Sequence, residues 1–203
     1  MDNKQKAAET FISVANVASE LSRAQSIAVE LSIISKNARA LAVRAGSTAA
    51  GFNEITRFIE GLSKLTIDAA EFVSGIATTQ TKSANELFRI YSLLSMLDHV
   101  KERSEPEQRL EITPIYSKIQ QNAESLRDKI NAKLKELIDS LDETKMELRA
   151  TQVVSVVSRV ESVRANKDFQ DSLNSVADKV SNAGNRINDH LDNARKSLLK
   201  LGR

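Results

Sequence analysis

The stretch that decides the fold is NARALAVRAGSTAAGF, residues 37–52. An alanine-rich run leads to Gly46, and four small residues separate it from Gly51. Glycine is common just beyond a helix end because it adopts the left-handed conformation without a steric penalty. The chain has 203 residues and only 6 glycines, so two at this place indicate a chain reversal. We therefore predict a helix hairpin whose turn spans residues 46–51.

Each glycine has a separate expected role in that turn. We expect Gly46 to be left-handed directly after the first helix. Ser47 or Thr48 is expected to cap the second helix, because a hydroxyl accepts a hydrogen bond from a free amide of the first turn. Gly51 is expected to let the backbone pass close to an antiparallel neighbour.

Apolar and small residues recur at intervals of seven on both sides of this turn, which is the spacing of a coiled-coil seam. The main series before the turn are Val14, Leu21, Ala28, Ser35 and Ala42, with Val17, Ala24, Leu31, Ala38 and Ala45. After the turn they are Phe52, Ile59, Thr66, Val73, Gln80, Leu87 and Leu94, with Ile55, Leu62, Ala69, Ile76, Ser83, Ile90 and Leu97. The pattern predicts one helix over about 6–45 and a second that reaches about residue 103.

The second half contains another pair of helices. Residues 105–113 are polar and flanked by proline, so we predict a linker there. Thr113 followed by Pro114 is typical of a helix start, with a capping hydroxyl and proline at the first helical position. The third helix continues through VVSVVSRVESV, residues 153–163, where its apolar pattern broadens. We predict a turn near 165–168 and a final helix after it.

These elements predict an all-α fold, an elongated antiparallel four-helix bundle or coiled coil with up-down-up-down order. Residues 1–104 form the first hairpin in this interpretation, 105–113 the linker and 114–203 a second hairpin packed on the first. Because neighbouring helices alternate in direction, the turns at 46–51 and 165–168 are expected at the same end of the bundle.

Composition argues against several classes of function. The chain carries 29 basic and 27 acidic residues without a block of either sign, so no nucleic-acid partner is expected. It lacks cysteine, and no apolar run approaches the roughly 18 residues that span a bilayer. The N-terminus does not resemble a secretory signal. We therefore expect a soluble, cytoplasmic protein with no membrane span.

No enzyme, cofactor or metal site is predicted. Neither His99 nor His190 has a glutamate three residues earlier, as the di-iron bundles do. Gly46 and Gly51 do not have the spacing of a phosphate-binding loop. No histidine is placed to activate a serine.

Residues 24–75 carry a more specific pattern. Ile27-Ala28, Asn37-Ala38, Arg44-Ala45-Gly46 and Gly51-Phe52 follow one another in fixed register. This segment resembles the signalling tip of bacterial methyl-accepting chemotaxis receptors, a cytoplasmic helix hairpin. The resemblance implies a non-enzymatic signalling protein whose tip docks a chemotaxis coupling protein, a histidine kinase or other chemoreceptors.

The resemblance also implies which residues make those contacts. Asn37 and Arg44 match polar tip positions, and Ile33 and Phe52 match apolar ones. Leu41 stands where the family has a glutamate, which suggests altered partners or lost kinase coupling.

A second, shorter match to the tip pattern in the other half of the chain makes two assemblies possible. VESVRANKDF, residues 160–169, repeats an arginine-alanine pair followed by phenylalanine. If this match is real, the chain supplies both hairpins itself and is a monomeric pseudo-dimer; otherwise the first hairpin forms a homodimer. The alternative function is a structural or scaffolding helical bundle that keeps the hairpin but lacks kinase coupling. A bundle that opens onto lipid is a third possibility.

Overall fold

Five α-helices account for almost all of the described chain. The structure, a computed structural model, describes residues 3–200, so residues 1–2 and 201–203 of the two predicted hairpins lie outside the described part. The helices are α1 (Asn3–Ala45), α2 (Gly51–Arg103), α3 (Pro106–Leu148), α4 (Ala150–Arg164) and α5 (Lys167–Leu199), with one turn of 3₁₀ helix at Gly46–Ala49 between α1 and α2. No strand occurs within residues 3–200. The all-α prediction is confirmed.

The helices pack as a four-membered ring in which α3 and α4 together form one member. Helix α1 packs against α2 and α5, while α3 and α4 pack between α2 and α5. Helix α1 therefore lies diagonally opposite the α3–α4 pair. The turn after α1 contacts α4, and Gly51 lies against the side chain of Glu161. The connections at 46–50 and 165–166 thus meet at one end, which we call the tip end.

The predicted seams form the core. Every position of the two α1 series from Val14 to Ala45 is buried, as is every position of the α2 series from Phe52 to Leu94. The other α2 series is buried from Ile55 to Ala69 and only partly buried from Ile76 to Leu97. The largest fully buried side chains come from all four members of the ring: Leu21, Leu31, Phe52, Ile59, Leu137, Leu141, Leu173 and Ile187. Burial of these apolar faces stabilises the bundle, since each large aliphatic side chain contributes about 1.5–3 kcal/mol.

The end opposite the tip is thinner. A second core cluster there contains residues of α2 and α3 alone, centred on Leu87, Leu94, Ala123 and Ile130. The Tyr116 hydroxyl donates a hydrogen bond to Asp98 at 3.4 Å. Partial burial, followed by this carboxylate, raises the pKa of Tyr116 above its ordinary value. The sequence predicts this thinning, because the first and last helices are shorter than the middle two.

The predicted linker at 105–113 is wrong, because α3 begins at Pro106. A capping box starts the helix: the side chain of Glu105 accepts a bond from the backbone of Gln108, and the Gln108 side chain accepts one from the Glu105 amide. Proline at the first helical position strengthens this start, since its missing amide would have had no partner there. The connection between α2 and α3 is therefore only Ser104 and Glu105.

Pro114 lies inside α3 and does not start a helix. It has no N–H for the carbonyl of Leu110, but Leu110 is 76% exposed, so water can reach that carbonyl. The Thr113 hydroxyl, expected as a cap, instead donates to the carbonyl of Arg109 at 2.7 Å, one turn back in the same helix. The proline is tolerated because this first part of α3 faces solvent.

The predicted third helix is interrupted at Arg149. The Arg149 amide donates to the carbonyl of Met146, and the Gln152 amide donates to the carbonyl of Arg149, both at 3.3 Å. Bonds across three residues tighten the helix locally. Directly after this turn, Thr151 packs against Gly184 of α5. Here α4 approaches α5 so closely that no side chain separates the backbone of Gly184 from Thr151.

We predict that Gly184→Ala destabilises the bundle. A Cβ at Gly184 would lie 2.5 Å from Thr151 Cγ2 and 3.0 Å from its Cβ. Threonine is stiff at χ1, so the helices must separate, which costs about 1–3 kcal/mol. The measurement is urea unfolding followed by circular dichroism.

Gly61→Ala is the matched control, because a Cβ at Gly61 meets nothing within 4 Å. Alanine favours a helix over glycine, so this variant should gain up to about 1 kcal/mol. A Gly184→Ala protein as stable as Gly61→Ala would contradict the close contact.

Candidate functional site

The hairpin turn at the tip end is built around Gly46. Its φ is +70°, the left-handed conformation that the sequence predicts at this position. The predicted cap by Ser47 or Thr48 is wrong: α2 begins after Ala50 without a side-chain cap. The Thr48 hydroxyl donates back to the carbonyl of Ala45 at 3.0 Å. Because the 3₁₀ turn runs directly into α2, its own carbonyls bind the amides that a cap would satisfy.

Gly51 brings the second hairpin against the first. A Cβ at Gly51 would lie 2.5 Å from Oε2 of Glu161, so glycine leaves the space that this side chain fills. The close neighbour expected for Gly51 is therefore α4. A carboxylate is favourable here, because the first turn of α2 carries the positive end of its helix dipole. The Arg164 guanidinium also donates to Glu161, at 2.8 Å.

Three of the predicted contact residues are exposed on one side of α1. Ile33 is 54% exposed, and Asn37 and Arg44 are also exposed. Asn37 follows Ile33 by one helical turn, and Arg44 follows Asn37 by two. They span about 16 Å along the helix. We call this surface, defined by Ile33, Asn37 and Arg44, the α1 tip face.

The fourth residue, Phe52, is not part of that surface. It is 0% exposed and belongs to the main core cluster at the start of α2. A partner cannot reach it unless the bundle opens, which corrects its predicted role as an apolar contact. Phe52 occupies the first position of the α2 seam, where its ring stabilises the hairpin.

A shallow groove lies beside the α1 tip face, between α1 and α5. Its volume is about 430 Å³, and its lining includes Asn37, Leu41, Ser175 and Lys179. Leu41, the residue that replaces the family glutamate, is partly buried and packs on the core. The groove combines hydrogen-bonding groups with one lysine and one aspartate, Asp171, and this mixed polar lining suits contact with a protein chain.

A second candidate surface lies on α4, which buries polar side chains and exposes apolar ones. The buried residues of α4 all carry hydroxyls: Thr151, Ser155, Ser158 and Ser162. Its exposed large hydrophobic residues, which we call the α4 valine face, are Val153 (64%), Val156 (59%), Val157 (43%), Val160 (54%) and Val163 (71%). A helix that buries serine and exposes valine leaves apolar surface available for binding.

Hydrogen bonds offset the cost of burying the hydroxyl groups of α4. Ser155 donates to the carbonyl of Ala177 in α5 at 3.2 Å. Ser158 donates to the carbonyl of Val154, and Ser162 to that of Arg159, both at 2.7 Å. Buried hydroxyls are costly only when they lack such partners. Their small size also allows the close approach of α4 to α5.

Sequence periodicity did not reveal the α4 valine face. Within residues 144–165 two sets of positions recur every seven residues, so either set could form the buried side of the helix. One set consists mostly of residues with hydroxyl groups, and the other consists mostly of valine. Apolarity alone favours burying the valines. The signal that could have found the correct set is the small-residue pattern of the opposing helix, at Ala177 and Gly184.

Among the described residues, the ionisable side chains that contact one another form small salt-bridge groups. His190 Nδ1 lies 2.7 Å from Glu20 Oε2 across the α5–α1 contact, and Arg23 lies 3.3 Å from the same carboxylate group. Among the described residues, no three or more side chains of the metal-binding types converge. A search of the same residues finds no helix with the length and hydropathy of a membrane span.

Comparison with known proteins adds no family: no protein-family model, no curated protein and no solved structure matches this chain.

We predict that Gly46→Ala destabilises the hairpin by about 1–2 kcal/mol, the cost of placing a Cβ in the left-handed conformation. Asparagine tolerates this conformation better, so Gly46→Asn should lose less. Thermal unfolding followed by circular dichroism measures both. Gly75→Ala is the control, since Gly75 is helical and a Cβ there meets nothing within 4 Å. A Gly46→Ala protein as stable as the Gly75→Ala protein would contradict the prediction.

Proposed function

We propose that this chain is a non-enzymatic, chemoreceptor-like signalling protein whose tip docks a chemosensory coupling protein, a histidine kinase or other receptors in the cytoplasm. The observation that carries the proposal is the exposure of Ile33, Asn37 and Arg44 on one face of α1, next to the left-handed turn at Gly46. These are positions at which the sequence resembles the receptor tip.

The α1 tip face has the chemistry of a protein-binding surface. Arg44 offers a charged donor, Asn37 an amide and Ile33 an apolar side chain, while Val43 beside them is 69% exposed. Arginine with a few apolar anchors often carries most of the energy of an interface. The three side chains of the α1 tip face stand on a helix held by the core, so little backbone entropy is lost on binding.

Two observations support the single-chain pseudo-dimer as part of this proposal. Both hairpins belong to one bundle, with their connections together at the tip end. Moreover, Arg44-Ala45 ends α1, and Arg164-Ala165 stands at the corresponding end of α4. Ala45 and Ala165 are both buried, at 7% and 4% exposed. The chain would then need no second copy to complete the four helices of a receptor tip.

The alternative, a scaffolding bundle without kinase coupling, is favoured by Leu41 and Phe52. Leu41 places an apolar, partly buried side chain where the family has a glutamate, and Phe52 is inaccessible. Two of the family's tip contacts are therefore missing from the surface. In this case the α1 tip face keeps its shape but has lost its partner.

The test is binding of the purified chain to the coupling protein and the kinase of its own organism. Arg44→Glu and Asn37→Ala should each weaken binding, Arg44→Glu by about tenfold or more, which is typical for an interface arginine. Circular dichroism should show unchanged helicity, because both residues are exposed.

Arg23→Glu is the matched control. Arg23 is exposed on the same line of α1, 21 residues before Arg44. Arg23→Glu therefore makes the same charge change about 32 Å from Arg44. It should leave binding unchanged. Equal loss in Arg23→Glu and Arg44→Glu would refute the α1 tip face, and a folded wild-type chain that binds neither partner would favour the scaffold.

A further inference from the structure

The α4 valine face has the geometry of a coiled-coil seam that has no partner in the bundle. Met146, Val153 and Val160 follow one another at intervals of seven residues and are 61%, 64% and 54% exposed. This line is about 21 Å long. Val156 and Val163 lie on one side of it, and Val157 lies on the other. Seven-residue spacing of apolar side chains is the pattern by which helices pair.

The apolar surface continues onto α2. Gly51 shows which edge of α2 faces α4, because its missing Cβ would meet Glu161. Phe58, Leu65 and Phe72 follow Gly51 at intervals of seven and so lie along the same edge. Phe58 and Phe72 are 40% and 42% exposed. An exposed apolar patch on two adjacent helices is unusual for a monomer and indicates an interaction surface.

Charges at the two ends of the valine face have opposite sign. Glu143 and Asp139 are exposed on the α3 side, and Arg164 is exposed on the α4 side. Glu143 of α3 falls on one line with Val157 and Arg164 of α4. The seven-residue phase continues across Arg149, because Leu141, Leu148, Ser155 and Ser162 are all buried. A second copy in the antiparallel direction would bring acidic ends next to basic ends, whereas a parallel copy would oppose like charges.

We propose that the α4 valine face docks a second copy of this chain, antiparallel, about a two-fold axis at Val153. Val153 then meets its own copy, and Met146 of each chain meets Val160 of the other. Glu143 lies within one residue of the position opposite Arg164, so two charge pairs flank the seam. The contact is isologous, as in most homodimers.

Arg164 and Arg149 are compatible with this arrangement. Arg164 already contacts Glu161 of its own helix, but its side chain is 68% exposed and can also reach the second copy's Glu143. Arg149 lies at the edge of the seam, where its aliphatic stem can cover valine while the guanidinium stays in water. The proposal does not depend on the chemosensory function, since it concerns the purified chain alone.

Single cysteines test the register, because the described chain contains no cysteine and the sequence has none. Val153→Cys should form a disulfide-linked dimer under mild oxidation. Met146→Cys alone should not, since its two copies would be about 21 Å apart, but mixed Met146→Cys and Val160→Cys chains should cross-link. Val43→Cys, which replaces an exposed valine on α1, gives the background rate.

Charge reversal tests the orientation. Glu143→Arg and Arg164→Glu should each weaken dimerisation in sedimentation equilibrium, by about fivefold or more, since each turns two attractions into repulsions. The double variant should restore the dimer. Circular dichroism confirms that each variant is folded.

Three outcomes would overturn the proposal. The first is a wild-type chain that stays monomeric, together with a Val153→Cys variant that cross-links no faster than Val43→Cys. That result would indicate that the α4 valine face binds a lipid surface or another protein. The second is a Met146→Cys homodimer, which would indicate parallel pairing. The third is a dimer that neither charge reversal affects.

Discussion

The close approach of α4 to α5 determines the arrangement on which the α4 valine face depends. Thr151 lies against the backbone of Gly184, and Ser155 donates to the carbonyl of Ala177. Only small side chains fit between helices this close, so α4 turns its serine and threonine residues inward. Its valines are then left on the outside, where the rest of the bundle cannot cover them. Packing at one side of a helix thus decides what the other side offers to a partner.

The two surfaces lie at opposite corners of the bundle. Helix α1, which carries the α1 tip face, packs on α2 and α5, and α4 completes the ring on the far side. One chain can therefore use both surfaces at the same time. In an antiparallel dimer centred on Val153, the tip end of each bundle lies only about 16 Å from the two-fold axis. Such a dimer would present two tip faces, and paired sites strengthen weak docking through a high effective concentration.

The sequence predicts the fold better than the sites. Seven-residue spacing identified the buried positions of α1 and of one α2 series correctly, and Gly46 marked its turn, because these signals are local. The α2 series that begins at Ile55 is buried only as far as Ala69, because the bundle thins beyond it. The linker at 105–113 failed because Glu105 and Gln108 form a capping box about two turns before the more obvious Thr113-Pro114. Phe52 failed as a contact residue because the family match did not take the seam into account, and the seam spacing already placed Phe52 in the core. The orientation of α4 depends on Gly184, which is distant in sequence and could not be inferred from the α4 pattern.

The most direct measurement is thiol labelling of Ser158→Cys and Val160→Cys, with Val43→Cys as the exposed reference. Ser158 is 0% exposed and Val160 is 54% exposed, although they are two residues apart. We predict that the Ser158→Cys thiol reacts slowly at every protein concentration. The Val160→Cys thiol should approach the rate of the Val43→Cys thiol as the protein is diluted and any dimer dissociates. Fast labelling at position 158 with protection at 160 in dilute solution would mean that α4 buries its valines, and would contradict the orientation on which the α4 valine face is assigned.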